Sequence, residues 1–66
     1  MQILVNNTPF EPIPEENITS LLHRLKISPN GIAIAVNDRV IPKVSWDVHT
    51  LHENDRLTII RAAQGG

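Results

Sequence analysis

Cysteine is absent from the 66-residue chain, which removes disulfide frameworks, thiolate metal sites and cysteine nucleophiles from consideration. Aromatic side chains are almost absent too, Phe10 and Trp46 being the whole set. A core must therefore be aliphatic, and the stacking surface that single-stranded nucleic acid requires is missing. Neither sign of charge is in excess: six Lys/Arg stand against seven Asp/Glu, a formal charge of −1. No basic face is on offer to a phosphate backbone. No apolar run is long enough to cross a bilayer as a helix, and no signal-peptide pattern opens the chain. The expectation is a soluble, cytoplasmic protein. Of three glycines only Gly31 is internal, so there is no glycine-rich loop to hold phosphate and no nucleophile elbow or oxyanion hole.

What is present is a hydrophobic fraction of 41%, ordinary for a globular domain and too high for a disordered chain. The length allows one domain, near the lower limit for folding without disulfides or metal. So small a domain hardly encloses a substrate pocket of several hundred Å³ and keeps a core. Function is expected on a surface or at an end.

Gln2-Ile3-Leu4-Val5-Asn6 reads as a strand with Ile3 and Val5 on one face and Leu4 on the other. Asn6-Asn7 is turn chemistry that tolerates positive φ, and Thr8 to Pro12 returns as a second strand. Pro9 and Pro12 cannot donate ladder hydrogen bonds, which assigns that strand to an edge. Asn17 is a good N-cap for a helix whose Ile18, Leu21, Leu22 and Leu25 share one stripe. Glu15 and Glu16 fall at the positive end of its dipole, Arg24 and Lys26 at the negative end. Ser28-Pro29-Asn30-Gly31 stops it. Ile32 to Val36 alternates large residues with alanine, Asn37-Asp38 makes a two-residue hairpin turn, and Arg39-Val40-Ile41 returns until Pro42. Lys43 to Asp55 reads as a winding connection with room for one helical turn, anchored by Val44, Trp46, Val48 and Leu51. Asn54-Asp55 turns the chain into a last strand, Leu57 to Arg61.

One amphipathic helix must bury its stripe on one sheet face, which makes a two-layer α+β domain. Ile3, Val5, Ile34, Val36, Leu57 and Ile59 are assigned to the helix side of the sheet. Leu4, Ala33, Ala35, Thr58 and Ile60 are assigned to the opposite face, where a small, mildly polar apolar surface is a candidate partner site.

His49-x-x-His52, with Glu53 or Asp47, has the outline of a metal site, but no helical pattern supports the spacing, and loop histidines facing solvent are the expectation. Ser45, Asp47 and His49 form a nominal nucleophile set without supporting context. His23 falls on the polar side of the helix. Trp46 is expected to pin the irregular segment to the core rather than anchor a partner. The end of the chain, Ala62-Ala63-Gln64-Gly65-Gly66, allows two interpretations. It is a frayed or artificial end, or a thin arm without Cβ atoms that carries the Gly66 carboxylate into a channel of another protein. A carboxylate is a poor acyl donor until it attacks the α-phosphate of ATP, which gives a mixed anhydride with AMP as leaving group.

The order β-β-α-β-β-(irregular)-β ending in Gly-Gly resembles the β-grasp, the ubiquitin fold, and more closely the ThiS family of sulfur carriers of thiamin biosynthesis. Met1 to Asn6, Ile18 to Leu25, Ile34 to Asn37, Val40-Ile41-Pro42-Lys43-Val44-Ser45-Trp46, Leu51 with Asp55, and Ile59 to Gly66 carry the resemblance. Asn54 stands where such chains often have glycine, and Gln64 where a smaller residue is common. The resemblance implies a mixed sheet of four to five strands packed on one helix over residues 1–61, with the first and last strands parallel at its centre, and a flexible tail over 62–66. It implies a monomeric co-substrate rather than an enzyme, with no bound cofactor. An E1-like, ThiF-like enzyme would adenylate Gly66 with ATP and convert it to a thiocarboxylate. A cysteine desulfurase or other donor would supply the sulfur, and a ThiG-like thiazole synthase would receive it. Gly65, Gln64 and Ala63 would be gripped with the tail, and Ile60, Ala33, Ala35 and Thr58 would form the partner surface. The alternatives are a MoaD-like small subunit of molybdopterin synthase and a β-grasp binding module whose tail has no function.

Overall fold

The apolar stripe and the N-cap produce the helix they predict in the computed structural model, which describes residues 2–61. Helix α1 spans Ile18–Arg24, and the Asn17 side chain accepts from the Ser20 N–H at 2.7 Å. Ile18, Leu21 and Leu22 are buried, and Leu25 packs against them at the edge of the core.

The helix ends earlier than its breakers suggest. Leu25 is the C-cap, and Lys26 takes φ 58°. The Lys26 N–H donates to the His23 carbonyl at 3.1 Å and the Ile27 N–H to the Leu22 carbonyl at 2.9 Å. These are the paired bonds of a Schellman motif, with lysine at the position glycine favours. Ser28-Pro29-Asn30-Gly31 lies beyond a stop already made.

The acidic residues precede the N-cap, and one of them does more than the sequence suggests. No acidic residue lies in the first turn. Glu15 takes φ 60° in the approach to the helix, while Glu16 is buried. The Glu16 carboxylate accepts from the Ile13 N–H at 3.1 Å, the Ser20 hydroxyl at 3.2 Å and the Arg24 guanidinium at 2.6 Å. Residues 16, 20 and 24 recur every four positions, and side chains on a helix lean toward its N-terminus. Arg24 therefore reaches back along the helix, its guanidinium 5.0 Å from the Phe10 ring centroid. The carboxylate is an internal clasp at the helix N-terminus.

Five strands form one mixed sheet: β1 (Ile3–Val5), β2 (Thr8–Phe10), β3 (Ile32–Val36), β4 (Arg39–Ile41) and β5 (Arg56–Arg61), in the spatial order β2-β1-β5-β3-β4. The proline-bearing β2 is at an edge, as its missing donors require. β1 and β5 run parallel, with Leu4 opposite Arg56 and Val5 opposite Leu57. The other neighbours are antiparallel. Asn6 and Asn7 take φ 49° and 68°, Asn37 and Asp38 φ 51° and 69°, and Asn54 φ 70°. Left-handed backbone is the conformation that short Asx residues accept most readily after glycine.

Between β4 and β5 the single helical turn is a 3₁₀ turn, Lys43–Ser45. Trp46 follows it, buried, and its indole N–H donates to the Ile41 carbonyl at 2.9 Å. The ring therefore ties the irregular segment to the core and satisfies its own donor. Leu51 adds a second buried anchor. The core lies between α1 and the inner sheet face, where Ile3, Ile34, Val36 and Leu57 are buried and Val5 and Ile59 pack at its margin. That is the helix-side set the alternation assigns. Every buried side-chain N or O among the described residues has a hydrogen-bond partner.

Candidate functional site

Strand β5 is the middle of the sheet and leads directly into residues 62–66. Gly66, Gly65, Gln64 and Ala63, the tail residues singled out in the sequence, lie outside the described residues. What the fold supplies is the holding of their base. On one side β3 pairs with β5 along its length, from Val36 opposite Leu57 to Ile32 opposite Arg61. On the other side β1 covers its first half: the Leu4 N–H donates to the Asp55 carbonyl and the Asn6 N–H to the Leu57 carbonyl, both at 2.9 Å.

Both hairpin turns also send a side chain to this strand. The Asn6 amide oxygen accepts from the Ile59 N–H at 2.7 Å, and its nitrogen donates to the Ile59 carbonyl at 3.4 Å. The Asn37 amide oxygen accepts from the Arg56 N–H, and its nitrogen donates to Asp55 Oδ1, each at 2.9 Å. The sequence shows these asparagines only as turn formers. Their reach to β5 follows from strand order, which alternation within a segment does not contain.

The outer sheet face is largely as assigned. Ile60 is half exposed, at 50%, and Ala33 and Thr58 are exposed. The register places Ala33 beside Ile60 and Ala35 beside Thr58. Ala35 is the correction: it is 7% exposed, not an open contact residue. Its strand is paired on both sides, and its methyl sits between Thr58 of β5 and Val40 of β4. A side chain that short is overshadowed by its neighbours. Val40, opposite Ala35 and 66% exposed, belongs to this surface instead. The hairpin turn at Asn37-Asp38 fixes that register, so the sequence contained the signal.

Asp47 accepts from the Thr19 hydroxyl. His52 is exposed, with Nδ1 3.9 Å from Asp55 Oδ2. Among the described residues, no group of three or more His, Cys, Asp or Glu is placed to hold a metal ion. A groove of about 320 Å³ on the helix side, lined by residues including Leu22, Ile27, Pro29 and Trp46, is mainly apolar.

A mixed sheet of five strands, with its first and last strands parallel in the interior and one helix across a face, defines a β-grasp, ubiquitin-like protein. The same architecture recurs in a crystal structure of the thiamine biosynthesis protein ThiS from Geobacter metallireducens, with a TM-score of 0.82, 26% identity and full coverage of both chains. A solution structure of a thiamine biosynthesis protein from that organism gives 0.74 at 26% identity, covering all of this chain and 88% of the other. The chain belongs to the ThiS family, whose model matches residues 3–66. The sulfur carrier protein ThiS of Escherichia coli K12 is 27% identical over 66 residues, the full length of both.

Proposed function

We propose that the chain is a sulfur carrier for thiamin biosynthesis and that the Gly66 carboxylate is the group acted upon. The observation that carries this is the extent of the family match, which runs through the Gly65-Gly66 end to residue 66. The outer face and the two-sided support of β5 suit a domain that is recognised while its end is processed elsewhere. In this scheme a Gly66 carboxylate oxygen attacks the α-phosphate of ATP on a ThiF-like, E1-like enzyme, and pyrophosphate leaves. A persulfide sulfur, delivered from a cysteine desulfurase or other donor, then attacks the acyl carbon and AMP leaves. A second thiol cleaves the resulting acyl disulfide, leaving the thiocarboxylate on Gly66 and a disulfide on the donor side. A ThiG-like thiazole synthase receives the sulfur. The chain acts as co-substrate, and the catalytic groups belong to its partners. Cytoplasmic location accords with those partners; no helix among the described residues is long and apolar enough to cross a membrane.

The test is intact mass after incubation with a ThiF-like enzyme, ATP and a sulfur donor. The mass is expected to rise by the difference between sulfur and oxygen, and the chain lacking Gly66 is expected to gain nothing. No gain in the full chain with its cognate partners overturns the proposal.

A further inference from the structure

We propose that Asn6 is a positioning residue for the arm that carries Gly66: its side-chain amide makes the last β1-side rung of β5 and so fixes the base of residues 62–66. This rests on the sulfur-carrier function above and names a residue that serves it.

The geometry is a substitution of side chain for main chain. In a parallel ladder the residue whose N–H donates to Leu57 would next use its own carbonyl to accept from the Ile59 N–H. Asn6 makes the first bond, at 2.9 Å. It also takes φ 49° and turns the chain toward β2, on the far side of β1. The turn takes the backbone away from the place where the second bond is due. Asn6 Oδ1 fills it, accepting from the Ile59 N–H at 2.7 Å, and Nδ2 donates to the Ile59 carbonyl at 3.4 Å. A primary amide carries the same donor and acceptor as a peptide group, so the ladder gains one rung that the backbone no longer provides. The two residues are 53 positions apart in sequence, so this is a tertiary tie and not part of the turn itself.

Its location gives it consequence. Ile59 is two residues before Arg61, the last residue of β5. On the β3 side the strand is held to Arg61; on the β1 side Asn6 extends the hold from Leu57 to Ile59. Five further residues span at most about 18 Å when fully extended, so the direction and firmness of the base bear on how readily the terminal carboxylate enters a partner's channel. Without the amide, β5 loses its β1-side tie before the arm begins, and more freedom must be frozen when a partner grips domain and tail together. That cost falls on binding and not on the chemical step.

The test compares the full-length carrier with Asn6→Gly, which keeps the positive φ without the amide, and Asn6→Asp, which keeps an acceptor for the Ile59 N–H. Pyrophosphate release by a ThiF-like enzyme with ATP is measured against carrier concentration, alongside amide hydrogen exchange at Ile59 and Ile34. In Asn6→Gly, KM is expected to rise about three- to tenfold with kcat within about twofold. Exchange at Ile59 is expected to quicken at least about tenfold with that at Ile34 unchanged. Asn6→Asp is expected to recover most of the KM. An unchanged KM in Asn6→Gly overturns the positioning role while leaving the carrier function intact. A KM rise accompanied by equal acceleration at Ile34 also overturns it, because the residue then supports stability in general. If the unaltered carrier releases no pyrophosphate with its cognate enzyme, the carrier function falls, and the positioning role with it.

Discussion

The two hairpin turns are built alike and serve opposite ends of the same strand. Each opens with an asparagine near φ 50° and continues with a residue near φ 70°, and each sends its first amide to β5. Asn37 holds the entrance. Its backbone N–H donates to the Arg56 carbonyl at 2.8 Å, its Oδ1 accepts from the Arg56 N–H, and its Nδ2 meets the Asp55 carboxylate. Asp55 is itself buried, and its other oxygen takes the His52 N–H at 2.8 Å. Asn6 holds the exit: its backbone N–H donates to the Leu57 carbonyl at 2.9 Å, and its side-chain amide makes an exposed pair of bonds to Ile59 alone. A hydrogen bond contributes according to what its loss would strand: a buried carboxylate at the entrance, and a strand edge that water can solvate at the exit. The same turn chemistry therefore anchors the strand where it enters the sheet and only steadies it where it leaves.

The contrast is broken most severely at the entrance. Asp55→Ala removes the acceptor of two hydrogen bonds at a buried position and is expected to cost about 2–3 kcal/mol, read as a lower urea midpoint at unchanged slope. Asn37→Gly keeps the left-handed turn but leaves Asp55 Oδ1 and the Arg56 N–H without this partner. Its expected cost is about 1–2 kcal/mol, smaller because glycine recovers backbone ease at positive φ. A neutral Asn37→Gly would locate the value of that asparagine in its φ and remove the distinction between the turns. Lys26 supplies the reference, being a left-handed residue whose side chain makes no hydrogen bond among the described residues. Lys26→Gly is expected to stabilise by up to about 1 kcal/mol in the same denaturation assay.

Lys26 also shows where the sequence stopped being legible. The helix was readable from Asn17 and the spacing of Ile18, Leu21 and Leu22, because capping and periodicity are local. Its end was not, because lysine in a Schellman motif carries no compositional mark. The clasp that Glu16 makes is illegible in the sequence for a related reason. A carboxylate one residue before an N-cap looks like solvent-facing charge until Arg24, eight positions on, is seen to bend back to it. Strand faces were legible from alternation, and Ile60, Ala33 and Thr58 fell as assigned. Ala35 shares their face but is covered, since exposure of a methyl depends on the size of cross-strand neighbours, and Val40 is the neighbour to weigh. The roles of Asn6 and Asn37 needed strand order as well as turn type.

The smallest expected effect on stability is at Asn6, and it is the one that separates anchoring from presentation. Asn6→Gly relinquishes an exposed amide pair while glycine eases the turn, so the net change is expected within about 0.5 kcal/mol in urea denaturation. Were stability the purpose of both asparagines, the exit turn would contribute little and glycine would serve it as well. Its amide instead lies at the final β1-side rung of β5, at Ile59, where the role proposed for it is presentation and not stability. A loss at Asn6 as large as at Asn37 would mean that Ile59 is part of the cooperative core. A near-neutral result, with exchange at Ile59 quickened, confines the amide's influence to the end of β5 that precedes residues 62–66.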